Sequence, residues 1–210
     1  MSTETELKLG LTPDAVSTLL RHPLLIGTPR QQHLANTYFD TENLALTEQK
    51  VAVRERQANG LTLLTVKTAG KSVNGLSQRQ EWEATTRPGA FDFRALMGDT
   101  PLAHALSDLA PQLVPVFTTD FERLSWRIPV QADADTSMVE VALDRGTIAV
   151  ERQGRTAQIP ICELELELKT GDASALHDLA GQLQQCVSLT PKDESKAARG
   201  YALFHSLAAA

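Results

Sequence analysis

Cysteine, aromatic residues and long apolar runs are all in short supply in this chain. Only Cys162 and Cys186 are present, too few and too far apart for a disulfide framework or a thiolate metal site. A reduced, cytoplasmic setting is the expectation. No apolar run reaches membrane-spanning length, and no basic-then-apolar signal region opens the chain, so no membrane partner is expected. Aromatics make up 5%, without a clear cluster on which a nucleobase could stack. Positive charge is also lacking: 26 acids face 20 bases, for a net charge of −6. A nucleic-acid surface is therefore not expected, although net charge says little about any one cleft. The five histidines (His22, His33, His104, His177, His205) have no ligand spacing. No internal repeat or low-complexity linker divides the 210 residues, and residues 1–210 read as one domain.

What the chain does have is alternation. In "TETELKLG", residues 3–10, Glu4, Glu6 and Lys8 alternate with Thr5, Leu7 and Leu9. That period belongs to a strand with two unlike faces. The pattern recurs with Arg54 and Arg56 against Val51 and Val53, and with Thr65 and Lys67 against Leu64 and Val66. Arg79, Glu81 and Glu83 are backed by Trp82 and Ala84. Arg123 and Arg127 are backed by Leu124, Trp126 and Ile128. Glu140 and Asp144 oppose Val139, Val141 and Leu143, and Glu163, Glu165, Glu167 and Lys169 oppose Cys162, Leu164, Leu166 and Leu168. "HLANTYFDT" (33–41) reads as a further strand. Asn59-Gly60 is a strong hairpin signal.

Helices are expected near "TPDAVSTLLRH", with Thr12 as cap and Pro13 in the first turn. More are expected within 88–113, over about 172–186 opening at Asp172, and over about 193–207 opening at Asp193. "GKSVNG" (70–75) reads as a mobile polar loop, and Asp133 and Asp135 as part of a solvated hairpin tip. Trp82, Trp126 and Cys162 fall on apolar faces and read as core. Many strands with few helices between them point to antiparallel pairing.

An ordinary sheet with its polar face in water is one explanation of the alternation. Two features weigh against it. The polar faces concentrate Glu and Arg, and the signs are segregated by strand, so like charges repel unless opposite charge faces them. A closed barrel with a charged interior, its apolar outside covered by helices, resolves this. The expected class is therefore an all-β dominated α+β fold. Clustered carboxylates suit Mg²⁺ or Mn²⁺, and clustered Arg and Lys suit phosphate oxygens.

The chain resembles the CYTH superfamily, the triphosphate tunnel metalloenzymes. The resemblance rests on "ETELK" (4–8) together with "NTYFDT", "VRER", "TVKTAG", "RQEWE", "DFERLSW", "EVALDRG", "CELELELK" and "SKAARGY", in that order. It is nearest to bacterial inorganic triphosphatases, some of which carry a second, helical histidine-rich domain. By that likeness the chain is either a stand-alone version or the N-terminal piece of such a fused protein. The resemblance implies a closed eight-stranded antiparallel β-barrel, a tunnel that binds a small-molecule triphosphate. It implies Glu4, Glu6, Glu163 and Glu165 as metal ligands, with Asp144, Glu140 and Glu167 nearby. It implies Lys8, Arg54, Arg56, Lys67, Arg79, Arg123, Lys196 and Arg199 as phosphate ligands. Glu6, Lys67, Arg54 and Arg56 are the expected catalytic set. Hydrolysis of tripolyphosphate to pyrophosphate and phosphate is the leading expectation. A class IV adenylyl cyclase, a thiamine-triphosphate hydrolase and a non-enzymatic polyphosphate- or nucleotide-binding module are the alternatives. A homodimer is also expected, to bury apolar sheet surface left uncovered.

Overall fold

The computed structural model describes residues 2–132 and 135–208. Ten strands form: β1 (Ser2–Gly10), β2 (Arg30–Asp40), β3 (Ala52–Ala58), β4 (Leu61–Lys67), β5 (Lys71–Val73), β6 (Leu76–Thr86), β7 (Val114–Ala132), β8 (Asp135–Arg152), β9 (Arg155–Thr170) and β10 (Thr190–Pro191). The helices are α1 (Val16–Leu19), α2 (Ala45–Glu48), α3 (Phe93–Met97), α4 (Pro101–Leu109), α5 (Ser174–Gln184) and α6 (Lys196–Ala208). Eight strands run in the order β1-β9-β8-β7-β2-β3-β4-β6, and β6 pairs back onto β1, which closes an antiparallel barrel. β5 and β10 are short additions to β6 and β1.

Local chemistry sets the corners. Asn59 and Gly60 both take positive φ (51° and 76°) between β3 and β4, as a type I′ hairpin turn requires. At Thr12 the expected cap is absent, because its side chain makes no capping hydrogen bond; Pro13 instead opens a short 3-10 turn that leads into α1. Asp172 accepts a hydrogen bond from Ser174 N at 2.8 Å and prepares α5. Asp193 does not open α6. That role falls to Ser195, whose hydroxyl accepts from Ala198 N. Asp193 instead accepts from Ser72 Oγ and Gly75 N, both at 2.8 Å. The expected mobile loop at 70–75 is thus a tied-down strand and turn. Asp133 lies outside the described residues, and so does the side chain of Asp135.

Two apolar clusters cover the outside of the barrel, as the alternation predicts. In one, Leu7, Leu9, Trp126, Val141, Leu164 and Leu166 pack under α1 and α5. In the other, Val53, Leu64, Val66 and Trp82 pack under α3 and α4 through Phe93, Met97 and Leu106. Each fully buried side chain of this kind contributes roughly 1.5–3 kcal/mol.

A third cluster corrects the expectation that hydrocarbon is confined to the outside. Leu34, Phe121, Ile148 and Ile161 are buried together with Tyr38, Phe117 and Tyr201. All but Tyr201, which lies on α6, share strand faces with Asn36, Arg123, Asp144 and Glu163, because they differ from those residues by even steps. One end of the barrel interior is therefore apolar. Helix α6 packs into it, with Tyr201 edge-on to Phe117. Gly200 allows this approach: a Cβ there would collide with the Phe117 ring.

Candidate active site

Toward its other end the interior is a cavity of about 920 Å³, within the range of small-molecule sites. Its described lining carries twelve Lys and Arg residues and eight Asp and Glu residues. A chain of net charge −6 thus surrounds a cationic cavity.

Pairing of β1 with β6 places Glu4 opposite Arg79 and Glu6 opposite Ser77. Glu4 accepts from Lys67 Nζ at 2.9 Å and Arg79 Nε at 2.8 Å. Glu6 accepts from Arg79 Nη2 at 2.7 Å, and from Lys8 Nζ and Ser77 Oγ at 3.2 Å each. Burial works against the Glu4 carboxylate, yet Lys67 and Arg79 outweigh it and hold the group well below the usual range.

On the adjoining strands β8 and β9, ligand oxygens of Asp144, Glu163 and Glu165 lie within 4.8 Å of one another. Register explains it, since Asp144 pairs with Glu163, and Glu165 is two residues on. The Lys196 ammonium lies 2.6 Å from Asp144, 2.6 Å from Glu163 and 2.8 Å from Glu165. Arg123 binds Asp144 in a fork, at 2.7 Å on both oxygens, and reaches Glu165 at 2.6 Å. Arg199 and Lys192 complete the set on Glu163. Burial raises the carboxyls of Glu163 and Glu165, but Lys196 first, then Arg199 on one and Arg123 on the other, drive both below the usual range. Burial likewise lowers the Lys196 ammonium, and the three carboxylates reverse this and hold it charged.

The third wall is cationic. Arg54 sits 3.8 Å from Glu81 and 3.7 Å from Glu83, and its buried Nε has no hydrogen-bond partner among the described residues. Arg56 is different. Among the described residues it has no carboxylate oxygen within ion-pair distance, and Asn36 Oδ1 accepts from its Nε at 2.8 Å. Burial first, then Arg54 and Arg123, lower its guanidinium to about 10. Beside it, burial would raise the Tyr38 phenol, but Arg54, Lys67 and Arg56 bring it down.

Most of the residues singled out from the sequence line this space or its floor, in three groups. Glu4, Glu6, Lys8, Lys67 and Arg79 form one, with Glu81 bonded to Lys67 at 3.1 Å. Asp144, Glu163, Glu165, Arg123, Lys196 and Arg199 form the second, and Arg54 and Arg56 the third. Glu140 and Glu167 stand apart toward the mouth, sharing Lys169 at 3.7 and 2.7 Å. Burial is the main cause that raises the Glu167 carboxyl, opposed by Lys169. Asn36, Ser77 and Tyr201 were missed, because a search for charge passes over neutral side chains; Thr65, placed beside Lys67 on the polar face, was given no role of its own. Asp40 is buried and structural, accepting from the backbone N–H of Thr41, Leu46 and Thr47 and from Tyr201 Oη. His33 pairs with Asp120 on the surface.

The family model for the CYTH domain matches residues 2–201. The chain belongs to the CYTH family. An inorganic triphosphatase of Haemophilus influenzae is 34% identical over 97% of this chain. The match covers 55% of that relative, so the chain spans about half its length. Among solved structures, a Hippeastrum protein studied as an adenylyl cyclase, and reported to have a dominant triphosphatase activity, superposes with a TM-score of 0.64 at 20% identity, over 97% of this chain and 95% of that one. A Pyrococcus horikoshii protein gives 0.57 at 17% identity, over 96% and 99%. Both likenesses support the CYTH barrel as a fold. No helix among the described residues is long and apolar enough to cross a membrane.

Proposed function

We propose that this CYTH tunnel hydrolyses inorganic triphosphate to pyrophosphate and phosphate with the help of a divalent cation. One observation carries the reading: inside an acidic chain, the cavity wall holds a guanidinium, Arg56, with a neutral partner only, next to the unpartnered Nε of Arg54. Positive charge that is partly withdrawn from water, as at Arg56, and has no counter-ion is costly unless an anion completes it. Family membership and the Haemophilus influenzae relative support the same substrate class.

The carboxylates suit a hard cation. Asp144, Glu163 and Glu165 offer oxygens within 4.8 Å, and Glu163 Oε1, although 2.6 Å from Lys196 Nζ, accepts no hydrogen bond from the described residues. Oxygen donors of this kind favour Mg²⁺ or Mn²⁺. Glu163 and Glu165, with Glu4 and Glu6 on the neighbouring strand β1, would hold it. A bound cation would neutralise phosphoryl oxygens and polarise the phosphorus for attack.

The remaining work falls to the chain. Arg54, Arg56, Lys67 and Arg123 bind the phosphoryl oxygens, and Lys8, Arg79, Lys196 and Arg199 surround them. Glu6 orients the attacking water and accepts its proton. The water oxygen bonds to the terminal phosphorus, the anhydride bond breaks, and Lys67 stabilises the negative charge gathering on departing pyrophosphate. Catalysis of this class is mostly positioning and charge neutralisation.

The test offers tripolyphosphate, ATP and thiamine triphosphate with Mg²⁺ or Mn²⁺, and measures phosphate, pyrophosphate and cyclic AMP. Equal release of phosphate and pyrophosphate from tripolyphosphate, at the highest kcat/KM of the three, is expected. Cyclic AMP from ATP would assign a cyclase instead, and binding without turnover would assign a binding module.

A further inference from the structure

Arg56 owes its orientation to a neutral relay that crosses three strands. Asn36 is buried on β2, opposite Arg56 on β3 and Thr119 on β7. Its Nδ2 donates to Thr119 Oγ1 at 2.9 Å and to Thr119 O at 3.4 Å. Its Oδ1 accepts from Arg56 Nε at 2.8 Å. The amide has one workable orientation, because turning it over would set its NH₂ against the Arg56 N–H and its oxygen against the Thr119 carbonyl.

A guanidinium offers five N–H donors in a fixed fork. With Nε taken by Asn36, the fork is fixed with its two terminal nitrogens available to a ligand. The contrast with Arg123 is direct. Arg123 Nε and Nη2 are both committed to Asp144, and Nη2 also to Glu165. Asp144 holds its arginine by cancelling its charge, whereas Asn36 holds Arg56 and leaves the charge intact.

We propose that Asn36 is a positioning residue for anion binding: it orients Arg56 toward a phosphoryl group while keeping its positive charge uncompensated, and Thr119 fixes the amide in the orientation this needs. The inference rests on the tunnel being a triphosphate site.

Three variants test it, with inorganic tripolyphosphate as the probe. Asn36→Asp keeps the shape but sets an anion against Arg56 Nε. It should weaken tripolyphosphate binding to the metal-free protein by about tenfold or more, read by calorimetry, since a compensated cation loses much of its pull on an anion. Under turnover the same variant should raise KM more than it lowers kcat. Asn36→Ala should weaken binding by a smaller factor, because it releases Nε without adding charge. Thr119→Val should act in the same direction and less again. A merely structural Asn36 would lower the melting temperature in Asn36→Asp and leave the dissociation constant of the folded protein within twofold of wild type, and that result overturns the proposal. The wild-type protein tests the underlying reading separately. Failure of wild type to bind tripolyphosphate removes both, whereas wild-type binding with unchanged affinity in Asn36→Asp removes the proposal alone.

Discussion

The two ends of the barrel interior are built by the same strands, on the same faces, with opposite contents. On β8, Asp144 and Ile148 are both fully buried and four residues apart. The first lies among Lys196, Arg123 and two glutamates, the second among Phe117, Phe121 and Tyr201. On β9 the step from Glu163 to Ile161 repeats the change. Helix α6 joins the regions, since Lys196 and Arg199 meet the carboxylates and Tyr201, one turn on, meets the aromatics. The apolar end anchors α6 by close packing, and that anchor delivers two cations to the charged end. The charged end would be a poor foundation by itself, because desolvating so many ions offsets much of what their pairing returns.

If that division holds, the two ends should fail in different ways. The largest effect is expected at the apolar end. Ile148→Ala leaves a cavity beneath α6 and should cost about 3 kcal/mol of stability, read as a lower denaturant midpoint, with tripolyphosphate KM close to wild type. A KM rise out of proportion to the stability loss would show that the two ends are not separable. Next comes Glu6→Gln, at the charged end. It keeps the hydrogen-bonding shape and removes the negative charge facing Arg79 and Lys8. We expect turnover to fall by about a hundredfold, or roughly 2.7 kcal/mol of barrier, with the circular dichroism spectrum unchanged. Lys67→Ala should be milder. Lys67 bridges Glu4 and Glu81, and its loss should cut kcat by about tenfold, or roughly 1.4 kcal/mol. An unchanged kcat would remove Lys67 from the site.

The charged end was largely legible because alternation fixes which face a residue occupies. Every charged strand face from Glu4 to Lys169 contributes to the cavity or its mouth. The outer core was legible for the same reason: Trp82 and Trp126 lie under helices as their positions require. What alternation does not carry is depth along the barrel. Leu34 and Tyr38 share a face with Asn36, but the one charge on that face of "HLANTYFDT" is Asp40 at the strand's end, too little to mark the face as inward. Partnership was illegible too. Asp193 looks like a helix cap from its neighbours, and its carboxylate is instead taken by a turn 118 residues away. Asn36 acquires its meaning only when pairing sets it between Thr119 and Arg56.

The smallest expected effect separates the ends by pH. Glu4, Glu163 and Glu165 have folded values depressed from the ordinary 4.5. A depressed carboxylate adds stability that is fully present above its unfolded value and is lost as pH falls toward its folded one. The melting temperature should therefore hold nearly level from about pH 7 to pH 5 and decline below about 4.5. Glu163→Gln removes one such group and should make the acid decline shallower. Ile148→Ala removes none, and should lower the whole curve while leaving the slope of its acid limb as in wild type. Parallel acid limbs in wild type and Glu163→Gln would mean that the buried carboxylates do not set the acid stability of the barrel, and that its charged end contributes cations in position rather than strength.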